Sequence, residues 1–279
     1  MKFDRRSFIA ASAVATLGTA TATANNLFAA EKSGSGKVLF DLGIASYSFR
    51  VFDNDKIIEW AKRANLKYIS LKDFHLAMDA SDAECAALAE KYRKAGLKVY
   101  GCGVVYMKTA EQVENAFRYA KALGCDVIVG VPVHDLLPLV NEKATASGIK
   151  VAIHNHGPGD KLYPSAKSIY EKIEKLGPNM GIALDIGHSI RIGEDPVQAV
   201  RDYAPRIFDF HFKDMNKAAP AGRGVICGEG VIDLPALVRA LIDVKYNRVA
   251  CFEYEIDKDD PFPGFMESLG YIRGICRVL

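Results

Sequence analysis

Three things are scarce in this 279-residue chain: net charge, paired cysteines and long apolar runs. The 36 Lys and Arg nearly cancel the 34 Asp and Glu. The first thirty residues hold Lys2, Arg5 and Arg6 against Asp4, so the remainder is close to neutral. Such a chain has no basic block to neutralise a nucleic-acid backbone, and no nucleic-acid partner is expected. The six cysteines (Cys85, Cys102, Cys125, Cys227, Cys251 and Cys276) never fall in a C-x-x-C pair. That argues against thiolate zinc knuckles and dithiol redox motifs. Scattered within apolar segments, they read as buried thiols rather than disulfides. Also absent is a glycine-rich phosphate loop after the first strand, which ends Ile44-Ala45-Ser46-Tyr47-Ser48-Phe49. An open doubly wound sheet would usually carry one.

The N-terminus reads as a targeting segment. Asp4-Arg5-Arg6-Ser7-Phe8-Ile9 precedes a small-residue apolar stretch reaching about Ala24. Paired arginines, a modest apolar region and Ala22-Thr23-Ala24 predict a twin-arginine signal peptide over residues 1–30. Cleavage after Ala29 or Ala30 is an equal option. The stretch is too rich in Ala and Thr for a stable membrane span, so an exported, periplasmic protein without a span after cleavage is expected. Ser33-Gly34-Ser35-Gly36 makes residues 31–37 a flexible lead-in, and residues 38–279 suit one domain.

From Val38 onward, apolar strand-like runs alternate with amphipathic stretches. The strands predicted are Val38–Ser46, Tyr68–Lys72, Val99–Val105, Val127–Val131, Lys150–His154, Gly181–Ile186, Ile207–Phe212 and Val249–Tyr254. Helices are predicted over 54–65, 82–95, 109–123, 135–147, 164–176, 195–204, 233–244 and 263–277, with Ser81 and Thr109 as N-caps. Eight alternating pairs predict the α/β class and a (β/α)8 TIM barrel, single domain.

In such a barrel the chemistry gathers at the carboxyl ends of the strands. Strand two ends Leu71-Lys72-Asp73-Phe74-His75, and strand five ends His154-Asn155-His156. Strand six ends Asp185-Ile186-Gly187-His188, strand seven carries His211-Phe212-Lys213-Asp214, and strand eight ends Glu253-Tyr254-Glu255. Ionisable groups avoid interiors unless they are paired or bind metal. Imidazole and carboxylate without thiolate suit Mn, Mg, Zn, Co or Fe. His75 and His134 read as scaffold or loop groups.

With these residues the chain resembles the xylose isomerase-like TIM barrels termed sugar phosphate isomerases/epimerases. That group includes ketose 3-epimerases, inosose dehydratases and apurinic endonucleases. The matching features are Asp185-x-x-His188, His211 followed by an acid, Gly228-Glu229-Gly230-Val231-Ile232-Asp233, and Glu253. The resemblance implies a divalent metal held by Asp185, His211 and Glu253. His188 would then hold substrate hydroxyls, and Lys213 or Lys217 would steady the bound sugar. Lys72 and the Tyr47/Phe49 pair complete the expected substrate-binding residues, the aromatics as a wall for a sugar ring.

Strand five departs from the family pattern. Sugar epimerases of the family place a glutamate there as ligand and base, and His154 stands in its place. Epimerisation needs an acid/base group on each face of the substrate, so the change weakens that reading. It suits proton removal next to a carbonyl of a keto-sugar, followed by loss of a β-leaving group. Glu253 is the expected base and His156 or His188 the acid, with His154 as the fourth metal ligand. Exported His-Asn-His members of the family imply 3-keto-glycoside elimination by a lyase. The alternatives are a ketose isomerase or 3-epimerase, and a non-catalytic sugar-binding barrel. A small-molecule sugar is the expected partner, and a homo-oligomer stays open.

Overall fold

The structure is a computed structural model that describes residues 37–279. The predicted signal peptide, and the lead-in up to Gly36, lie outside the described residues. Eight parallel strands follow one another around a closed barrel: β1 (Asp41–Ala45), β2 (Tyr68–Leu71), β3 (Lys98–Met107), β4 (Val127–Pro132), β5 (Lys150–His154), β6 (Met180–Asp185), β7 (Ile207–Phe212) and β8 (Val249–Phe252). β8 closes onto β1 with Asp41 opposite Val249. This is the (β/α)8 barrel expected. Its strands lack polar alternation because both of their faces are covered.

The helices are α1 (Asn54–Arg63), α2 (Asp82–Lys94), α3 (Ala110–Leu123), α4 (Leu137–Ser147), α5 (Ala166–Ile173), α6 (Ile186–Arg191), α7 (Pro196–Tyr203), α8 (Leu234–Asp243) and α9 (Phe262–Val278). Ser81 caps α2 in a reciprocal box with Glu84, and the Thr109 side chain caps α3. Both caps match the sequence expectation, and each satisfies amides that the first helical turn leaves unpaired. The predicted 164–176 helix is shorter, and α6 starts directly at the end of β6 where the sequence pattern predicts none. Six residues are too few to show a 3.6-residue period. No described helix is long and apolar enough to cross a membrane.

Packing falls into two layers. The larger lies between strands and helices. There Phe49, Trp60, Phe262 and Phe265 form an aromatic cluster, with ring centroids 5.0 Å (Phe49–Trp60), 5.1 Å (Trp60–Phe262) and 5.0 Å (Phe49–Phe265) apart. The cluster joins α1 to α9, and each such pair adds about 0.5–1.5 kcal/mol beyond its buried area. Phe49 is fully buried here, so it makes no wall for a sugar ring: the turn Ser46–Phe49 points it into the core. The smaller layer fills the lumen with Ala45, Val127, Val129, Ala152 and Ala183 around Tyr100, Phe208 and Cys251. A register shift in β7 pairs Ile207 with Ile182 and then Asp209 with Ala183, leaving Phe208 as a bulge. Gly181 makes room for it, since a Cβ there would overlap the Phe208 ring. All six cysteines are free thiols and five are buried, as expected.

Beyond β7 the chain forms a two-residue ribbon, Asp214–Met215 against Gly224–Val225. The Asp214 carboxylate is its anchor. It accepts from the amides of Met215 (2.8 Å), Gly228 (2.9 Å), Gly230 (3.0 Å) and Ile232 (3.2 Å). The Gly228–Asp233 turn is folded around that carboxylate. A Cβ at position 230 would overlap Asp214 Oδ1, so glycine is required there.

Candidate metal centre and active site

Four adjacent strands bring His154, Asp185, His211 and Glu253 together, with one ligand atom from each within 4.8 Å of all the others. The register explains it. His154 ends β5, Asp185 ends β6 opposite His211 of β7, and Glu253 follows the last residue of β8. His154 Nε2 lies 3.3 Å from His211 Nδ1, and both stand 3.6 Å from Asp185 Oδ2. His211 Nδ1 is 3.4 Å from Glu253 Oε2. Ligand atoms held about 2.1 Å from a common centre stand about 3.0–3.4 Å apart, so the cluster has nearly closed coordination dimensions. Asp185 Oδ2 is buried and makes no directed hydrogen bond, although Lys213 Nζ lies 2.9 Å away. Two imidazole nitrogens and two carboxylate oxygens suit a borderline divalent ion. The residues fit the metal.

The electrostatics agree. Burial pushes the His154 imidazole down to about 4, so it is neutral near pH 7 with a lone pair to give. Burial alone would raise Asp185, but Lys213, His188 and the neighbouring imidazoles of His154 and His211 hold its carboxyl well below the usual range. Burial would also raise Glu253, and Lys213 and His211 hold it low. The same carboxylates lift His211 well above an ordinary histidine against its burial. A divalent ion at the centre would take the place of the His211 proton that faces His154.

The middle of the His-Asn-His stretch has its own task. Asn155, fully buried, accepts from the Asp185 amide at 2.8 Å and donates to the Asp185 carbonyl at 3.0 Å. It clamps the backbone of one ligand. Asp185 also caps α6 by accepting from the His188 amide at 2.9 Å.

The other candidates divide. His156 is beside the cluster, its ring centroid 4.6 Å from His154 and 5.8 Å from His188. It lies between Tyr106 Oη, 3.3 Å from Nε2, and Asp160 Oδ2, 3.6 Å from Nδ1. His188 also stands 5.8 Å from His154. Lys213 is buried against Asp185, Glu253 (2.7 Å) and Glu255, a cation among three carboxylates rather than one left free for a sugar. Lys72 bonds the Val104 carbonyl (2.7 Å) and Asp73 (3.0 Å), and no contact joins it to the cluster. Lys217 is exposed beyond the ribbon and does not line the cleft of about 480 Å³ that adjoins Lys213, Glu253 and His188. His75 bonds Ser46 and the Phe49 carbonyl, the scaffold role expected.

Tyr47 packs against Phe74, ring centroids 5.8 Å apart, so Phe74 takes the place given to Phe49. Phe74 and Tyr106 are 56% and 51% exposed, and with Tyr47 they form an aromatic rim on the loops after β1 and β2 and the end of β3. The sequence reading missed both, along with Asp209 below the cluster.

Saturating zinc or manganese is expected to raise Tm by about 5–10 °C over the chelator-treated protein. A ligand at 100 times its Kd stabilises by about 2.7 kcal/mol, and about 2–4 °C of Tm accompanies each kcal/mol in a chain of this size. A melting curve indifferent to both metal and chelator would count against the centre.

Three similar proteins place the chain among others. An inosose dehydratase of Geobacillus kaustophilus (strain HTA426) is 29% identical over 126 residues, 39% of this chain. The match spans 40% of that relative's length. An uncharacterized protein from Parabacteroides distasonis ATCC 8503 is 26% identical and superposes with a TM-score of 0.67 over 84% of this chain and 98% of its own. The IOLI protein, whose structure holds a zinc atom, shares the fold with a TM-score of 0.68 at 17% identity, covering 85% of this chain and 96% of its own. The family model described as xylose isomerase-like TIM barrel matches residues 58–275, and the chain belongs to that family.

Proposed function

We propose that this protein is a divalent-metal-dependent enzyme that removes the proton next to the carbonyl of a keto-sugar, and that its reaction is elimination from a 3-keto-glycoside. The observation that carries the reading is His154. In a cluster otherwise built of acids and His211, strand five supplies a buried imidazole with Nε2 turned to the centre. That side of the site therefore lacks a second carboxylate base. The zinc of the IOLI protein supports a divalent ion, and the name of the inosose dehydratase supports an elimination.

A bound ion would polarise the sugar carbonyl and lower the energy of the charge that develops on its oxygen. The chain's own residues divide the rest. Glu253, held ionised by Lys213 at 2.7 Å, takes the proton from C2. The C2–H electron pair becomes the C1–C2 double bond as the C1–O bond breaks. His156, set between Tyr106 and Asp160, protonates the departing oxygen. The products are an unsaturated 3-keto-sugar and a free alcohol. His188, at the wall of the cleft, orients substrate hydroxyls. Arg5-Arg6-Ser7-Phe8-Ile9 supports placing the reaction outside the cytoplasm, by twin-arginine export.

The test is incubation of the metal-loaded protein with 3-keto-glycosides and simple ketoses in deuterated water. Release of the alcohol and a sugar product that has lost its C2 hydrogen to solvent are expected. Exchange without release would make it an isomerase or epimerase, and neither exchange nor release would end the enolate chemistry. A second substitution probes the carrying observation. His154→Glu is expected to keep the metal and lower alcohol release by about 10²-fold, the scale of a displaced acid/base group. If it leaves both metal and turnover intact, the reasoning from strand five is wrong.

A further inference from the structure

We infer that Asp209 and Tyr100 are a positioning pair that fixes the ring of His211 with Nδ1 presented to the metal. The inference rests on the metal centre proposed above. Asp209 and His211 are two residues apart on β7 and share one face of the strand. The bulge at Phe208 sets that face. Without the extra residue, Asp209 would pair one position further along β6 and turn to the helix layer. The shift turns a carboxylate into a lumen lined by Val127, Val129, Ala152 and Ala183. An ionised group there is several kcal/mol unfavourable unless it is partnered.

Asp209 has one partner and lacks another. Its Oδ1 accepts from Tyr100 Oη at 2.6 Å, and Tyr100 reaches across from β3 with its hydroxyl also 2.9 Å from Cys251 Sγ. Its Oδ2, fully buried, makes no directed hydrogen bond and faces His211 Nε2 at 3.3 Å. The opposite ring nitrogen, Nδ1, is the atom that meets His154, Asp185 and Glu253. A ligating histidine whose second N–H goes to a carboxylate is fixed in tautomer and orientation. The Tyr100 hydroxyl fixes the carboxylate in turn.

The experiment compares zinc dissociation constants of wild type, Asp209→Asn and Tyr100→Phe by competition with a chelating dye, together with Tm of the metal-free proteins. ¹⁵N spectra of the histidine rings in the zinc-loaded wild type accompany them. Asp209→Asn is expected to bind zinc about 10–100-fold more weakly. Tyr100→Phe should move it in the same direction by less, with a fall in metal-free Tm because Asp209 Oδ1 loses its donor. His211 should show a protonated Nε2 and a metal-bound Nδ1. Unchanged zinc affinity in a folded Asp209→Asn protein, or zinc on Nε2 of His211, overturns the inference. Should Asp209→Asn fail to fold, the wild-type spectrum decides. A wild type that binds no zinc brings down the metal centre as well, whereas unaltered binding in the variant brings down only this pair.

Discussion

Asp185→Asn is expected to leave a folded barrel that no longer holds stoichiometric divalent metal and, on the proposed reaction, turns over keto-glycoside at least about 10³-fold more slowly. The rate estimate follows from losing several kcal/mol of charge stabilisation at the carbonyl oxygen, at about 1.4 kcal/mol per tenfold. Asp185 is the ligand whose inward oxygen makes no directed hydrogen bond, while its other oxygen caps α6 through the His188 amide. Asparagine keeps an acceptor for the cap and removes the charge. Asp185→Ala removes both, so it should lose a further stability of about 0.5–2 kcal/mol, the usual worth of such a cap. Metal analysis, turnover and the metal-free Tm of the two variants separate the roles. An Asp185→Asn protein with full metal content and undiminished turnover would refute the centre.

Asp214→Ala should cause the largest loss of stability, about 2–6 kcal/mol, without touching a metal ligand. The carboxylate is 1% exposed and accepts four amide hydrogen bonds. Those of Met215 and Ile232 are themselves buried, and a buried donor left unpaired is unfavourable by about 1–3 kcal/mol each. The expected readout is a fall in Tm of at least about 5 °C. Metal affinity, measured below the transition, should change far less. Since the ribbon walls the cleft, KM should rise more than kcat falls. A thermal midpoint within a degree of wild type would show that water replaces the carboxylate.

The fold was readable because each apolar run of β5 to β7 stops at or beside a residue that an apolar core does not accept. His154, Asp185 and His211 announce the carboxyl ends of their strands, and Glu253 follows directly on Phe252 of β8. The cluster of His154, Asp185, His211 and Glu253 was legible for the same reason. What escaped was decided by direction and distance rather than type. Asp209 sits inside the apolar run Ile207–Phe212, where an acid at two-residue spacing from His211 was a usable signal of a shared face. The bulge that turns it inward is a register event with no mark in the sequence. Phe49 and Phe74 are the same residue type near two strand ends. Only the turn at Ser46–Phe49 decides that one is core and the other rim. Lys213 looked free for a sugar, because three carboxylates from β6 and the end of β8 converge on it only in three dimensions. The ends of α5 moved, and α6 was missed, because short helices are set by what they pack against.

The cluster draws on β5 to β8, whereas the aromatic rim of Tyr47, Phe74 and Tyr106 belongs to the β1 to β3 side. The two arcs meet at one seam, where Tyr106 Oη on the β3 side lies 3.3 Å from His156 Nε2 beside the cluster. For an engineer, the loops after β1 and β2 can be varied with all four clustered residues left in place, whereas a change at Tyr106 carries across the barrel mouth to His156.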